Sequence, residues 1–373
     1  MTGTTSILGE EAAAGASGRS LRAGVELRAV RTLAELDRIA PLWERLAPAA
    51  GNPVANFAYR RAWAAGLQAT QQLSVFVAEG AGGAAIAPLV VTRGGAGWLT
   101  LLAAEMYEIL DFLGSDEAAL RALAGAVART GRPLFLQRVP TDSPVVGAIR
   151  AAYRGRGVVL KRAARGAPWI PLDASWAEPE AHLNSGRRSD LRRARRSAEK
   201  AGRVEIEILA PDAGRVPALV EEVFRVEAAG WKGVQGSALA ADPVRGPFFR
   251  RYAQAASEQG TLRMCFLRID GRAAAAQIAV DNGQQFSLLR AGYDEEFSHC
   301  SPGMLLTLES IRYAARQGLC SYEFNGEVEP WTKVWTGQEH ACCSIRAYPF
   351  EPRGLAALAA NGWRALAGRV TGR

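Results

Sequence analysis

Lysine is nearly missing from this 373-residue chain. Only Lys161, Lys200, Lys232 and Lys333 occur among 45 basic residues, so arginine supplies the other 41 (45 − 4). None of the four follows a glycine, which excludes a Walker A phosphate loop. Cysteine is sparse as well. The five residues Cys265, Cys300, Cys320, Cys342 and Cys343 are odd in number and form no C-x-x-C, so no disulfide framework or zinc ribbon can be read from their spacing. A reducing compartment fits them best. The three histidines, His182, His299 and His340, lie far apart without an H-E-x-x-H pattern, and the expectation is no metal. No run approaches the roughly 18 apolar residues of a membrane span. The N-terminus MTGTTSILGEEAAAGASGRS has no basic region followed by an apolar core, so export is not expected. The expected location is the cytoplasm.

What is present is ordinary globular material, 49% hydrophobic and 22% charged, with a net charge of +8. Length gives a prior of two to three domains at roughly 150 residues each. Residues 1–23 are small and carry no hydrophobic period, which reads as a disordered tail. From there the pattern runs strand, helices, strands, helix, strand. Val25–Val30 alternates, Leu33–Leu46 has helical spacing behind Thr32, and Leu73–Ala78 with Ala84–Val91 reads as a hairpin. Trp98–Ala103 follows as a strand, Ala118–Arg129 as a helix and Leu134–Val139 as a strand. The order recurs about 180 residues later. Val204–Leu209 is a strand, and Ala218–Ala229 and Phe248–Gln259 are helices. Three strands follow, Leu262–Ile269, Ala273–Val280 and Gln285–Arg290, joined by Asp270-Gly271 and Asn282-Gly283 turns. Met304–Arg316 is a helix, and Cys320–Phe324 and Cys342–Tyr348 are strands. The fold class is therefore α/β (α+β), with one mixed, mostly antiparallel unit used twice. The boundaries are 24–167 for the first copy, 168–203 for a linker, 204–350 for the second copy and 351–373 for a terminal amphipathic helix.

Three stretches carry chemistry. In AGYDEEFSHCSPGMLL, Ser301 suits an N-cap, Pro302 the first turn, and Gly303 leaves the backbone bare. Free amides there, with the helix dipole, suit a diphosphate; a capped helix without ligand is the alternative. In SYEFNGEVEPWTKVW, Ser321, Glu323 and Asn325 share one face of a strand. Glu323, partly desolvated, suits a general base toward an ammonium group, or is an exposed or salt-bridged glutamate. In EAAGWKG, Lys232 adjoins Trp231, as Lys333 lies between Trp331 and Trp335, so two of four lysines sit beside tryptophans.

The linker holds a helix with eight basic and two acidic residues over 187–203, a net +6. A solvated face, docking to anionic lipid or a phosphorylated substrate, and nucleic-acid binding all remain open for it. Aromatic interleaving, which single-strand binding wants, is absent there. The segment Gly354–Val370 carries Leu355, Leu358, Trp363, Leu366 and Val370 as an apolar stripe, for packing on the body or for a membrane surface.

Taken together, these phrases resemble GNAT-type acyltransferases. The likeness is to the CelD-like (cellulose-biosynthesis-associated) branch, related to FemAB-type tandem GNAT proteins. It rests on the arginine helix ending Glu199-Lys200-Ala201-Gly202, on Trp231-Lys232-Gly233, and on Tyr293-Asp294 followed by Ser301-Pro302-Gly303. Tyr322-Glu323-Phe324 with Gly326, Lys333 and Trp335 completes the set. It spans roughly residues 25–350 and is thinner in the first half.

The resemblance implies tandem GNAT-like domains, the first degenerate, and an acyl-CoA co-substrate. The donor would contact Leu288, Leu289, Arg290, Ser301, Gly303, Met304 and Leu305, with Glu323 and Tyr293 catalytic. Asp111, Glu227, Trp231, Lys232, Lys333 and Trp335 would bind the acceptor. The implied reaction is N-acylation of a cell-envelope precursor, an exopolysaccharide amino sugar or a long-chain amine. Peripheral contact with anionic membrane is part of that expectation, and nucleic acid is not. An aminoacyl-tRNA-dependent transferase and a non-catalytic binding protein stand as alternatives.

Overall fold

Alternating hydropathy at the start of each half does produce a strand, Val25–Val30 in the first and Val204–Leu209 in the second. The computed structural model describes residues 20–22, 25–67, 69–114, 116–230 and 239–370. A small antiparallel sheet of five strands orders Ser20–Arg22, Val25–Val30, Val75–Gly80, Gly83–Ala87 and Leu113–Gly114. The second sheet has 11 strands and crosses both halves. It begins with Val204–Leu209, Leu262–Ile269, Arg272–Asp281, Gln285–Tyr293 and Ser321–Glu323. Gly157–Pro171, Glu339–Pro349 and Leu134–Pro140 come next, and Leu99–Leu101, Leu89–Thr92 and Gln71–Leu73 finish it.

Several sequence expectations are refined by local chemistry. The Leu33–Leu46 helix is two helices, Leu33–Arg38 and Ala40–Leu46, with Pro41 in the first turn of the second. Thr32 and Glu35 close a reciprocal capping box at its start. The Ala84–Val91 strand divides at Pro88, which has no N–H for a ladder, so Gly83–Ala87 joins the small sheet and Leu89–Thr92 the large one. A helix that the periodicity did not announce, Phe57–Ala64, is capped by Asn56.

Both halves contain a parallel strand pair bridged by a helix: Leu99–Leu101 with Leu134–Pro140 around Glu117–Arg129, and Gln285–Tyr293 with Ser321–Glu323 around Pro302–Arg316. The fold is thus a mixed α/β one, with its mixed sheets flanked by helices. The halves are also spliced. Gly157–Pro171 is one 15-residue strand, so position 167/168 falls inside it rather than at a linker. Its last residues pair with Ser321–Glu323 and the remainder with Glu339–Pro349, whose other neighbour is Leu134–Pro140 of the first half.

The large sheet has two differently dressed faces. On one, Ser185–Ala201 and Pro302–Arg316 cover Cys265, Leu267, Phe286, Leu288 and Tyr322. On the other, Val216–Ala228, Arg245–Glu258 and the first half cover Met264, Phe266, Ile278 and Leu289. The terminal helix Pro352–Val370 rests on the body through buried Gly354 and Ala357, with Asn361 Nδ2 donating to the Tyr348 hydroxyl at 2.7 Å. Leu355 and Trp363 of the expected stripe stay 48% and 76% exposed, and Leu358 is half-buried.

Candidate active site

The site begins where two strands stop pairing. Gln285–Tyr293 and Ser321–Glu323 run parallel through Ser287–Glu323 and then part. One strand continues to Tyr293, held on its far side by Arg272–Asp281. The other turns away at Asn325-Gly326, where φ is 55° and 52°. Asparagine tolerates that left-handed conformation better than most residues. From there Asn325 Nδ2 donates to the Leu288 carbonyl at 3.2 Å, tying the two chains at the point of divergence. A register shift opposite Ile278 and Ala279 leaves Leu289 as an extra residue, and such a bulge re-aims its side chains. Leu288 accordingly packs on the Pro302-helix face and Leu289 on the opposite one.

The gap between the strands opens into a cavity of about 500 Å³. Its walls come from both faces of the sheet. Gly303, Met304, Leu306 and Thr307 of the Pro302 helix form one end; Glu227, Gly230, Met106 and Glu108 form the other. The cavity is therefore a passage through the sheet rather than a surface dent. Two glycines let its walls close. A Cβ on Gly230 would stand 2.6 Å from the Tyr293 carbonyl oxygen, and one on Gly292 would stand 3.0 Å from the Glu227 Cα.

Ser301 occupies the N-cap position of the Pro302 helix at φ 47° but makes no side-chain cap bond. Met304 N and Leu305 N donate to the Ser301 carbonyl at 3.1 and 3.2 Å, so the front of that helix, where the cavity reaches it, offers the bare backbone at Gly303. The corresponding helix of the first half is closed differently: the Asp116 carboxylate accepts from Ala119 N at 2.7 Å. A carboxylate at that position satisfies an amide and repels an anion.

At the other end of the passage lies a buried ionic group supplied mostly by the first half. Glu108 is 5% exposed. It accepts a hydrogen bond from the Gly326 backbone N–H and faces the guanidinium groups of Arg138 and Arg290. Burial nevertheless outweighs these and pushes its carboxyl up to about 7. Its Oε2 has no hydrogen-bond partner. Arg138, itself at φ 53°, donates to the Gly326 and Arg165 carbonyls and so holds the Asn325-Gly326 turn. Arg290 lies 5.2 Å from the Phe249 ring; burial lowers its pKa, with Glu227 and then Glu108 opposing. Its Nε is buried without a partner, as is Gln277 Oε1 on the wall toward Thr307. Glu227 Oε2 accepts from Leu239 N at 3.0 Å. Burial also raises the Tyr293 phenol, with the Glu295 charge adding to it.

A second cavity of about 490 Å³ adjoins the first at Asn325, and a third of about 400 Å³ shares Asn52, Ile109, Pro140 and Asp142 with the second. The chain from Met106 to Phe112 runs along all three. Glu323 belongs to the second. Its Oε1 accepts from Ser321 Oγ at 2.7 Å, and its Oε2 lies 2.9 Å from His340 Nε2. The His340 ring stacks on Trp169 with centroids 4.6 Å apart.

The residues singled out from sequence therefore divide. Tyr293, Leu288, Leu289, Arg290, Gly303, Met304 and Glu227 line the passage. Glu323 lines the neighbouring cavity, because Tyr322 packs on the Pro302-helix face and bonds Ser310 at 2.9 Å, which turns Glu323 the other way. Asp111 lines the third cavity, its carboxyl pushed up to about 6 by burial against the Ser143 hydroxyl, the Phe112 amide and Arg60. Ser301 is exposed, and Leu305 and Trp335 are buried in the core of the Pro302-helix face. Lys333 is exposed on a short turn and does not line the passage; Glu329 and Trp331 of the same loop do. Trp231 and Lys232 lie outside the described residues. Sequence reading missed Glu108, Arg138 and Gln277. Glu108 had one visible signal, its place with Glu105 and Asp111 as one of three acids in the otherwise largely apolar run 104–113.

Residues 185–333 match the acetyltransferase (GNAT) domain family. The parted parallel strands lie within that segment, which also supplies Glu227, Gly230, Gly303, Met304 and Thr307 to the walls of the passage, while Met106 and Glu108 come from outside it; the mixed α/β fold is GNAT-like. No curated protein matches the sequence. Among solved structures, a conserved protein of unknown function from Bacteroides thetaiotaomicron is similar over 85% of this chain and 97% of its own, at 11% identity and a TM-score of 0.54. The C-terminal DUF2156 domain of a protein described as a lysylphosphatidylglycerol synthetase, from Agrobacterium fabrum, is similar over 88% and 97%, at 11% identity and a TM-score of 0.54. A tandem GNAT protein from the clavulanic acid biosynthesis pathway is similar over 88% and 99%, at 15% identity and a TM-score of 0.47. Among the described residues no helix is long and apolar enough to cross a membrane, and no group of His, Cys, Asp or Glu is placed to hold a metal ion.

Proposed function

We propose that the protein is an acyl-CoA-dependent N-acyltransferase in which donor and acceptor meet inside the passage from opposite faces of the sheet. The observation that carries this reading is the passage itself, with a helix front that has no side-chain cap at one end and the unpartnered Glu108 oxygen at the other. The co-substrate would supply an activated thioester. Its diphosphate suits the helix front at the Gly303 amide, and its amide-bearing arm suits Gln277 Oε1 and the open edge of Gln285–Tyr293. Backbone N–H groups of that edge and Arg290 Nε supply donors for charge developing on the thioester oxygen. Tyr293, on the same wall, is placed to return a proton to the departing thiolate.

Glu108 takes the place of Glu323 as the base. A carboxyl poised near 7 can hold the proton that an ammonium acceptor must lose before attack. The arginine helix packs beside the Pro302 helix, with Arg195 bridging to Glu309 at 2.8 Å, and lends a positive field to the donor end. The CelD-like branch and a cell-envelope acceptor belong to the same proposal. Of its two acceptor classes, the carboxylates and amides among the second cavity's lining, Glu323, Asp142, Asn52 and Gln285, favour a compact polar amine over a long chain.

Thermal shift with acetyl-CoA and long-chain acyl-CoA tests the reading directly. One of them should raise the midpoint, and thiol release should then require an added amine; no shift with either would remove the donor. The KM for acyl-CoA should also rise with ionic strength, since a net +6 helix acts partly through its field.

A further inference from the structure

The three adjoining cavities are acidic inside a basic protein. The chain as a whole carries +8. Around the passage stand Glu108, Glu227, Glu327 and Glu329 against Arg290; the second cavity adds Glu323 and Asp142, and the third Asp111 and Arg60. That is seven carboxylates to two arginines and one histidine, His340, with no lysine; Arg138 also faces Glu108. Some are already engaged: Glu327 pairs with Arg165, and Glu329 accepts from Trp331 Nε1 at 2.8 Å. Others are not used up. Glu108, 95% buried, presents an oxygen with no partner to the passage. Asp142 is exposed at the second cavity, and Glu323, with one hydroxyl and one imidazole contact, retains acceptor capacity. Asn52, Thr141, Gln285 and Asn325 add polar groups there, beside Ala50, Ile109, Pro140, Ala167 and Ala341.

We infer that the acceptor is a compact polar diamine, with one amine delivered to Glu108 in the passage and a second, still protonated, held by Glu323 and Asp142 in the adjoining cavity. This rests on the acyl-transfer reading for its chemistry but not for its binding. An ammonium group satisfies an unpartnered buried carboxylate oxygen with a charge-assisted hydrogen bond. The two acidic stations are neighbours because Glu108 and Ile109, consecutive in sequence, line the first and second cavities in turn. A single-charge amine would leave Asp142 without a cation, since the His340 imidazole already faces Glu323. A phosphorylated or carboxylate-bearing acceptor would meet like charge along the whole route.

Calorimetry on the full chain without donor, comparing 1,4-diaminobutane with butylamine and glucosamine, tests the binding claim. The diamine should bind about tenfold more tightly than either monoamine. Glu323→Gln and, as an independent variant, Asp142→Asn should each erase most of that preference, with circular dichroism confirming the fold. Equal affinity for diamine and monoamine, or a preference that survives both substitutions, overturns the inference whatever the donor does. With acetyl-CoA present, thiol release should favour the diamine in kcat/KM by a similar factor. Selective diamine binding without acyl-CoA binding would leave the inference standing and sink the acyl-transfer reading. Donor binding with indiscriminate turnover would do the reverse.

Discussion

Glu108 concentrates the energetic conflict of the molecule in one carboxyl group. Burial favours its neutral form, while Arg138, Arg290 and the Gly326 amide favour the charged one, and burial prevails by enough to bring the pKa to about 7. Because the folded value lies above the ordinary one, its stabilising contribution is complete below about pH 4.5 and is lost as pH rises through 7. The parent protein should therefore lose stability between pH 5 and 8, by an amount on the order of 3 kcal/mol. Glu108→Gln should flatten that slope in urea titrations and be the more stable protein at pH 8. The same substitution should cut kcat by roughly 100-fold or more while leaving acyl-CoA binding intact, since general-base help is of that size. The parent kcat/KM should rise with pH around a midpoint near 7. Unchanged turnover in Glu108→Gln would move the base elsewhere, with Glu323 next in line.

At the scale of elements, the divergence of the two parallel strands depends on Asn325. It combines a left-handed backbone with a hydrogen bond to the Leu288 carbonyl. Asn325→Ala loses both, and should cost about 1–3 kcal/mol in denaturant titration and raise the KM for acyl-CoA more than it lowers kcat. Asn325→Gly, which keeps the backbone, should recover most of the stability but not the KM. Much of this layout was legible beforehand. Periodicity located Leu262–Ile269, the Asp270-Gly271 turn and the helix after Ser301 almost to the residue, because each is dominated by local patterning. Alternation also placed Ser321 and Glu323 opposite Tyr322. What it could not say is which cavity that face meets, since this follows from how the first half packs. The bulge at Leu289 left no trace because the extra residue is an ordinary leucine in an apolar run. Glu108 was hidden for a related reason: its segment has no period of its own, and only the tertiary fold brings it to the strands that part at Ser287.

Across the whole molecule, the two halves are not separable beads. Glu339–Pro349 is bordered on both sides by first-half strands, and Gly157–Pro171 pairs with the second half at its end. Residues 1–172 and 173–373 expressed apart should each fail to give a cooperative thermal transition, whereas the intact chain should melt in one step by calorimetry. Two independent transitions in the intact chain would contradict that. The interlock also suits the site, because it fixes Glu108 of one half within the field of Arg290 of the other.

The splice has a bearing on how the chain is made. While a ribosome is still translating, Leu134–Pro140 and Gly157–Pro171 have emerged but the strand meant to lie between them has not. A vacant slot with unsatisfied amides and carbonyls on either side persists for more than 160 further codons. Nascent molecules stalled short of residue 349 should thus be sticky, dependent on chaperones and quick to be degraded.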